Sequence, residues 1–187
     1  METKPNAFKS ALMPGAIIGA LGIVYFLILY VFNIKPVGIM MPILLGLFGI
    51  AINIALLVYY MKVYRKNLGG YMTIGEGFVF GIAALVIGSI LSSIFSFIFI
   101  QFIEPNYMVD IMNSQKEWMQ DFMSGKVSEE EIEKALAKID EQTAGMTPIK
   151  QTLQSLGTGF VGSAIISIIV AAILKKKQNP FETETLD

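Results

Sequence analysis

IGEGFVFGIAALVIGSILSSIFSFIFIQFI, residues 74–103, carries a single charge, Glu76, and decides the fold. As a helix rising 1.5 Å per residue it would reach about 45 Å, against a bilayer hydrocarbon core of about 30 Å. The stretch is therefore expected to cross a membrane with tilt or with one end protruding. Both ends are marked. Thr73, Ile74, Gly75 and Glu76 spell a capping box, in which the threonine hydroxyl and the glutamate carboxylate satisfy free N–H groups of the first turn. Pro105 pushes Glu104 away from helical dihedrals and stops the helix.

Three further stretches, residues 11–32, 37–61 and 156–174, contain no charge at all. Each passes the length of about 18 apolar residues needed to span a bilayer. Charged residues make up only 16% of the chain, well below the roughly 25% of a soluble globular protein. The first stretch is too long for a secretory signal, and no Ala-x-Ala pattern follows it, so it is expected to remain as a span. The expected fold is all-α: an integral membrane four-helix bundle forming one domain over residues 1–187, with a helical hairpin inserted at residues 104–155.

Orientation follows from Lys and Arg near the span ends, which resist translocation. Lys4 and Lys9 precede the first span, Lys62, Arg65 and Lys66 follow the second, and Lys175, Lys176 and Lys177 follow the fourth. The other side has Lys35 in a short turn, residues 33–36, and the net-acidic segment 104–155. Both termini are expected on the cytoplasmic side and the acidic segment on the opposite face of the membrane. The short turn predicts that spans one and two form an antiparallel hairpin, with Pro36 and Pro42 at its far end.

The acidic segment reads as two amphipathic helices, near residues 106–124 and 129–142. Met108, Ile111, Met112, Met119, Phe122 and Met123 form one apolar face with Trp118 beside it, and Ile132, Ala135, Leu136 and Ile139 form the other. Ser128 and Glu131 make a second capping box. Trp118 is expected in the core between the two helices, with a docking surface as the alternative. Glu129, Glu130, Glu131 and Glu133 lack the spacing of a calcium loop and read as a solvated helix face.

Small residues recur every fourth position: Ala84, Gly88, Ser92 and Ser96 in the third span, Gly159, Ser163, Ser167 and Ala171 in the fourth, and Ala11, Gly15 and Gly19 in the first. Such stripes let helix backbones approach closely, which matters where lipid supplies no hydrophobic drive for association. Packing within one subunit is the expected use, a homodimer face the alternative. Glu76 is the only ionisable residue in a span. It is read as a cap at the cytoplasmic interface, with ion or proton handling as the competing role. Asn53 and Gln101 are expected to bond between helices. The chain has no cysteine and no histidine, which removes the thiol nucleophile and the commonest general base and transition-metal ligand. No catalytic, cofactor or metal site is expected, and nucleic acid is not an expected partner.

Three stretches in order, YRKNLGGYMTIGEGFVFG (64–81), FIEPNYMVDIMNSQKEWMQDFMSGKVSEEEIEKA (102–135) and GTGFVGSAIISIIVAAILKKKQNPF (157–181), resemble the bacterial family known as domain of unknown function 4199. The resemblance implies a four-span inner-membrane protein and supplies no activity. The functional expectation is an accessory or protein-interaction membrane protein, not an enzyme, acting through the outer hairpin or the small-residue stripes. The alternative is an oligomeric channel or transporter with Glu76 in its path.

Overall fold

The computed structural model describes residues 5–177. Lys4 and the stretch from Gln178 to Phe181, used above, lie outside them. The described residues form six helices: α1 (Ala7–Val31), α2 (Met40–Asn67), α3 (Ile74–Ile98) with a π-helical continuation at Phe99–Ile103, α4 (Tyr107–Met123), α5 (Glu129–Thr143) and α6 (Pro148–Leu174). Four of them, α1, α2, α3 with its continuation, and α6, are long and apolar enough to cross a membrane. The protein is an all-helical, multi-pass membrane protein.

Local capping chemistry sets most boundaries. Both capping boxes form, at Thr73 with Glu76 and at Ser128 with Glu131. The fourth span starts earlier than its apolar run, at Pro148 rather than residue 156. Thr147 accepts the Lys150 N–H at 3.3 Å, and Pro148, which has no N–H to leave unsatisfied, suits the first helical position. Polar residues 148–155 thus extend the span instead of closing the hairpin segment.

The largest departure from expectation concerns the first two spans. They are joined by residues 32–39, not by a four-residue turn, and α1 packs mainly against α3 rather than against α2. The central helix is α3, with α1 on one side and α6 on another. The cause is side-chain size. Gly15, Gly19 and Gly22 of α1 come within van der Waals contact of α3, whereas Ile43, Leu44, Leu47 and Phe48 of α2 are each more than half exposed. In a bilayer those exposed residues meet lipid as readily as protein, so nothing forces them inward.

Burial is concentrated where α2 does engage. Leu57, Met61 and Tyr64 close against Met72, Phe80 and Leu174, and the Tyr64 and Phe80 rings stack 4.6 Å apart. This end also carries the basic residues. Arg65 donates to the Leu174 carbonyl at 2.9 Å, and Met72 and Lys176 exchange two backbone hydrogen bonds of 3.0 Å. The end of α6 is thereby tied to the connection between α2 and α3.

Candidate functional site

The small-residue stripes are the internal seams of the bundle. A Cβ at Gly15 would lie 2.8 Å from the Ala84 carbonyl oxygen, and one at Gly19 would lie 2.9 Å from that of Gly88. A Cβ at Gly88 would in turn meet Ile18 Cγ2 at 2.8 Å. Ser92 Oγ donates to the Gly19 carbonyl at 3.0 Å. Ala84, Gly88 and Ser92 therefore serve α1. The stripe of α6 uses a different face of α3: Ser167 Oγ would be 2.9 Å from a Cβ on Gly81, and Ala171 Cβ 2.9 Å from one on Gly77. Ser163 is buried with them, and Gly159 approaches Ser89 more loosely, at 3.7 Å. Ser167 Oγ is fully buried with no hydrogen-bond partner, a cost of about 1–3 kcal/mol that the close packing has to offset.

Three sequence expectations need correction. Asn53 Nδ2 donates to the Gly49 carbonyl of its own helix at 2.8 Å rather than to a neighbouring helix. Gln101 is exposed in the π-helical turn. Ser96 leaves the seam and lines a cavity instead.

Glu76 does what the capping box requires. Its Oε2 accepts from Thr73 N at 2.8 Å and from Thr73 Oγ1 at 2.9 Å, and its own N–H donates to Thr73 Oγ1 at 3.2 Å. It borders a cleft shared with Tyr71, Lys176 and Lys177, so the basic residues of that cleft come from just beyond the end of α6. Thr73→Ala is expected to lose about 1 kcal/mol in detergent unfolding. Glu76→Gln can still close the box and should stay within about 0.5 kcal/mol of wild type. A larger loss for Glu76→Gln than for Thr73→Ala would show that the charge, not the cap, is what the fold needs.

At the opposite end the hairpin is clamped to the bundle. Trp118 lies over Gly38, where a Cβ would meet its Cε2 at 2.8 Å. Gln115 Oε1 accepts the Gly38 N–H at 2.8 Å, and Lys35 Nζ donates to Ser114 Oγ at 3.0 Å. Trp118 thus packs on the connection between α1 and α2, not in a core between α4 and α5. Those two helices are joined instead by the Lys116–Asp140 ion pair and by half-buried Ile132, Ala135, Leu136 and Ile139.

Beside the clamp the π-helical turn widens the end of α3. The Glu104 N–H donates to the Phe99 carbonyl, five residues back, at 2.8 Å, and Phe99 and Ile100 are both buried. Short π-helical turns often mark functional positions. Phe99 joins Phe26, Tyr30, Phe95 and Tyr107 in an edge-to-face cluster, with Tyr30 to Phe99 the closest pair at 4.8 Å. Tyr30 OH donates to Glu104 Oε2 at 2.9 Å.

Tyr107 of this cluster lines two neighbouring cavities. The smaller, about 150 Å³, is polar and lined by Tyr30, Asn33, Lys35, Glu104, Tyr107 and Asp110 among others. The larger, about 440 Å³, is apolar in the main. Phe26, Ser96 and Ile100 contribute from the spans, Met108, Ile111 and Met112 from α4, and Met146 and Gln151 from the entry to α6. Burial holds the Tyr107 hydroxyl above its usual pKa. Sequence reasoning singled out Ser96, Met108, Ile111 and Met112 for other roles and missed Phe26, Tyr30 and Tyr107. The readable signal was the gathering of Tyr and Phe near span ends, the aromatic belt of membrane interfaces.

A family profile described as "Protein of unknown function (DUF4199)" matches residues 14–176. No curated protein and no solved structure matches the chain.

Proposed function

The chain belongs to the DUF4199 family, and from that premise we propose a non-enzymatic accessory protein of the bacterial inner membrane that engages another protein through its α4–α5 hairpin. The observation that carries this reading is the clamp. One face of α4 is fixed to the bundle by Trp118, Gln115 and Ser114, while Glu129, Glu130, Glu133 and Glu141 of α5 point to solvent. An acidic helix paired with a clamped one suits a partner with a basic surface, because less ordering entropy is lost on binding. The basic residues gathered at the other end support cytoplasmic termini and a periplasmic hairpin. The transport alternative has less support, since the Glu76 carboxylate closes the first turn of α3 at the basic end of the bundle.

A chain without cysteine allows a direct test. In intact cells a membrane-impermeant maleimide should label Glu133→Cys without permeabilisation and Lys66→Cys only after it. A photo-crosslinking residue at position 133 should then give one discrete adduct, lost when Glu129, Glu130 and Glu141 are changed to lysine. Labelling in the opposite sense overturns the orientation; absence of a discrete adduct overturns the partner role.

A further inference from the structure

We propose that the two hairpin-end cavities form one binding site for a zwitterionic aminophospholipid, its acyl chain in the apolar cavity and its headgroup beside Lys35, Glu104 and Asp110. Three observations converge on this ligand. The first is depth. The large cavity has its floor on Phe26, Ser96 and Ile100, within helices that cross the membrane, and its roof on α4, outside the apolar runs. An object filling it must be apolar below and reach the polar interface above, as a lipid does.

The second is lining and size. About 440 Å³ falls within the range of pockets that enclose small ligands, roughly 300–1,000 Å³. Met108, Met112 and Met146 supply unbranched, polarizable side chains that adapt to a flexible chain. The third is charge. Beside Tyr107, which lines both cavities, the small cavity offers one cation, Lys35, and two carboxylates, Glu104 and Asp110. A headgroup with a phosphate and a primary ammonium presents the complementary pair, and the ammonium can donate hydrogen bonds to carboxylates, which a quaternary choline cannot. An anionic headgroup would leave both acids unmatched. The π-helical turn fits this assignment, because it places Ile100 in one cavity wall and Phe99 against Tyr107.

The test uses the full chain in phosphatidylcholine vesicles doped with a phosphatidylethanolamine whose acyl chain carries a diazirine. Irradiation and peptide mapping should place adducts on α4 between residues 108 and 112 about tenfold above those on the exposed α2 residues Leu44 and Phe48. Unlabelled phosphatidylethanolamine should suppress the α4 adducts and phosphatidylglycerol should not. Replacing both acids, by Glu104→Gln with Asp110→Asn, should lower the α4 adducts about tenfold, the equivalent of 1.4 kcal/mol, and leave those on α2 unchanged. Met112→Trp, which fills the cavity, should also remove them. Equal labelling of α2 and α4 would mean ordinary boundary lipid and would overturn the proposal. So would equal competition by phosphatidylglycerol, or indifference to the double substitution in a protein that remains helical and monodisperse.

Discussion

Gly15→Leu should leave the chain unable to hold α1 against α3, whereas Gly162→Leu should be tolerated. The difference lies in what the new side chain meets. A Cβ at Gly15 would be 2.8 Å from the Ala84 carbonyl oxygen and 2.8 Å from Ile87 Cβ, so backbone and a helix-anchored atom block it, not the end of a flexible side chain. At Gly162 nothing lies within 4 Å of the same atom. Overpacking in well-packed cores costs about 1–3 kcal/mol and sometimes more; leucine adds three further carbons at a contact already too close. The helices would have to separate along the seam, which also breaks the Ser92 to Gly19 hydrogen bond. In mild detergent the Gly15 variant should elute as aggregate or unfold at a much lower denaturant concentration, and Gly15→Ala should fall between it and wild type. Matching behaviour of the Gly15 and Gly162 variants would sink the assignment of α1 and α3 as the principal seam.

That seam shows how far the fold could be read from residues alone. The stripes at Gly15 and Gly19 and at Ala84, Gly88 and Ser92 were visible as spacing, and spacing was enough to name the surfaces. It could not pair them. Every fourth residue of α3 is small on two faces, Gly77 and Gly81 on one and Ala84 and Gly88 on the other, and only the three-dimensional arrangement assigns the first to α6 and the second to α1. Short connection length argued for pairing α1 with α2, but adjacency in sequence carries little weight when lipid competes on equal terms for large apolar side chains.

The capping boxes were legible for the opposite reason. They are closed within four residues, so tertiary context has little power over them, and both form. The cavities at the hairpin end were not legible because they are assembled from the ends of α1 and α3, the start of α4 and the entry to α6. The π-helical turn that shapes them left no local mark: Phe99 to Ile103 reads as a continuation of the same apolar run. Trp118 is legible as the one tryptophan of the sequence, beside an apolar face. Its receptor, Gly38, lies far away in sequence and carries no local mark.

Trp118→Ala should release the hairpin from the bundle while leaving the spans folded. Buried Trp or Phe truncated to Ala typically costs about 3–5 kcal/mol; this indole is half-buried, so a loss of about 1–3 kcal/mol in local stability is expected. The ties left beside the ring, Gln115 to Gly38 and Lys35 to Ser114, are hydrogen bonds worth about 1–3 kcal/mol each, and Tyr107 packs only the first turn of α4 against Phe26, Tyr30 and Phe99, so the rest of α4 is expected to loosen. Amide exchange in α4 should therefore accelerate by about tenfold or more, and the loop at Gly125 and Lys126 should become more accessible to protease. Exchange in α3, buried between α1 and α6, should not change. Gly38→Val is the reciprocal experiment and should act at least as strongly, since Gly38 has φ of 79° and a Cβ there would strike the indole at 2.8 Å. Because both substitutions remove the same contact, the double variant should be little worse than the single ones. Full additivity, or unchanged α4 protection in Trp118→Ala, would mean that the hairpin is held by something other than this ring, and the reading of α5 as a rigidly presented surface would lose its basis.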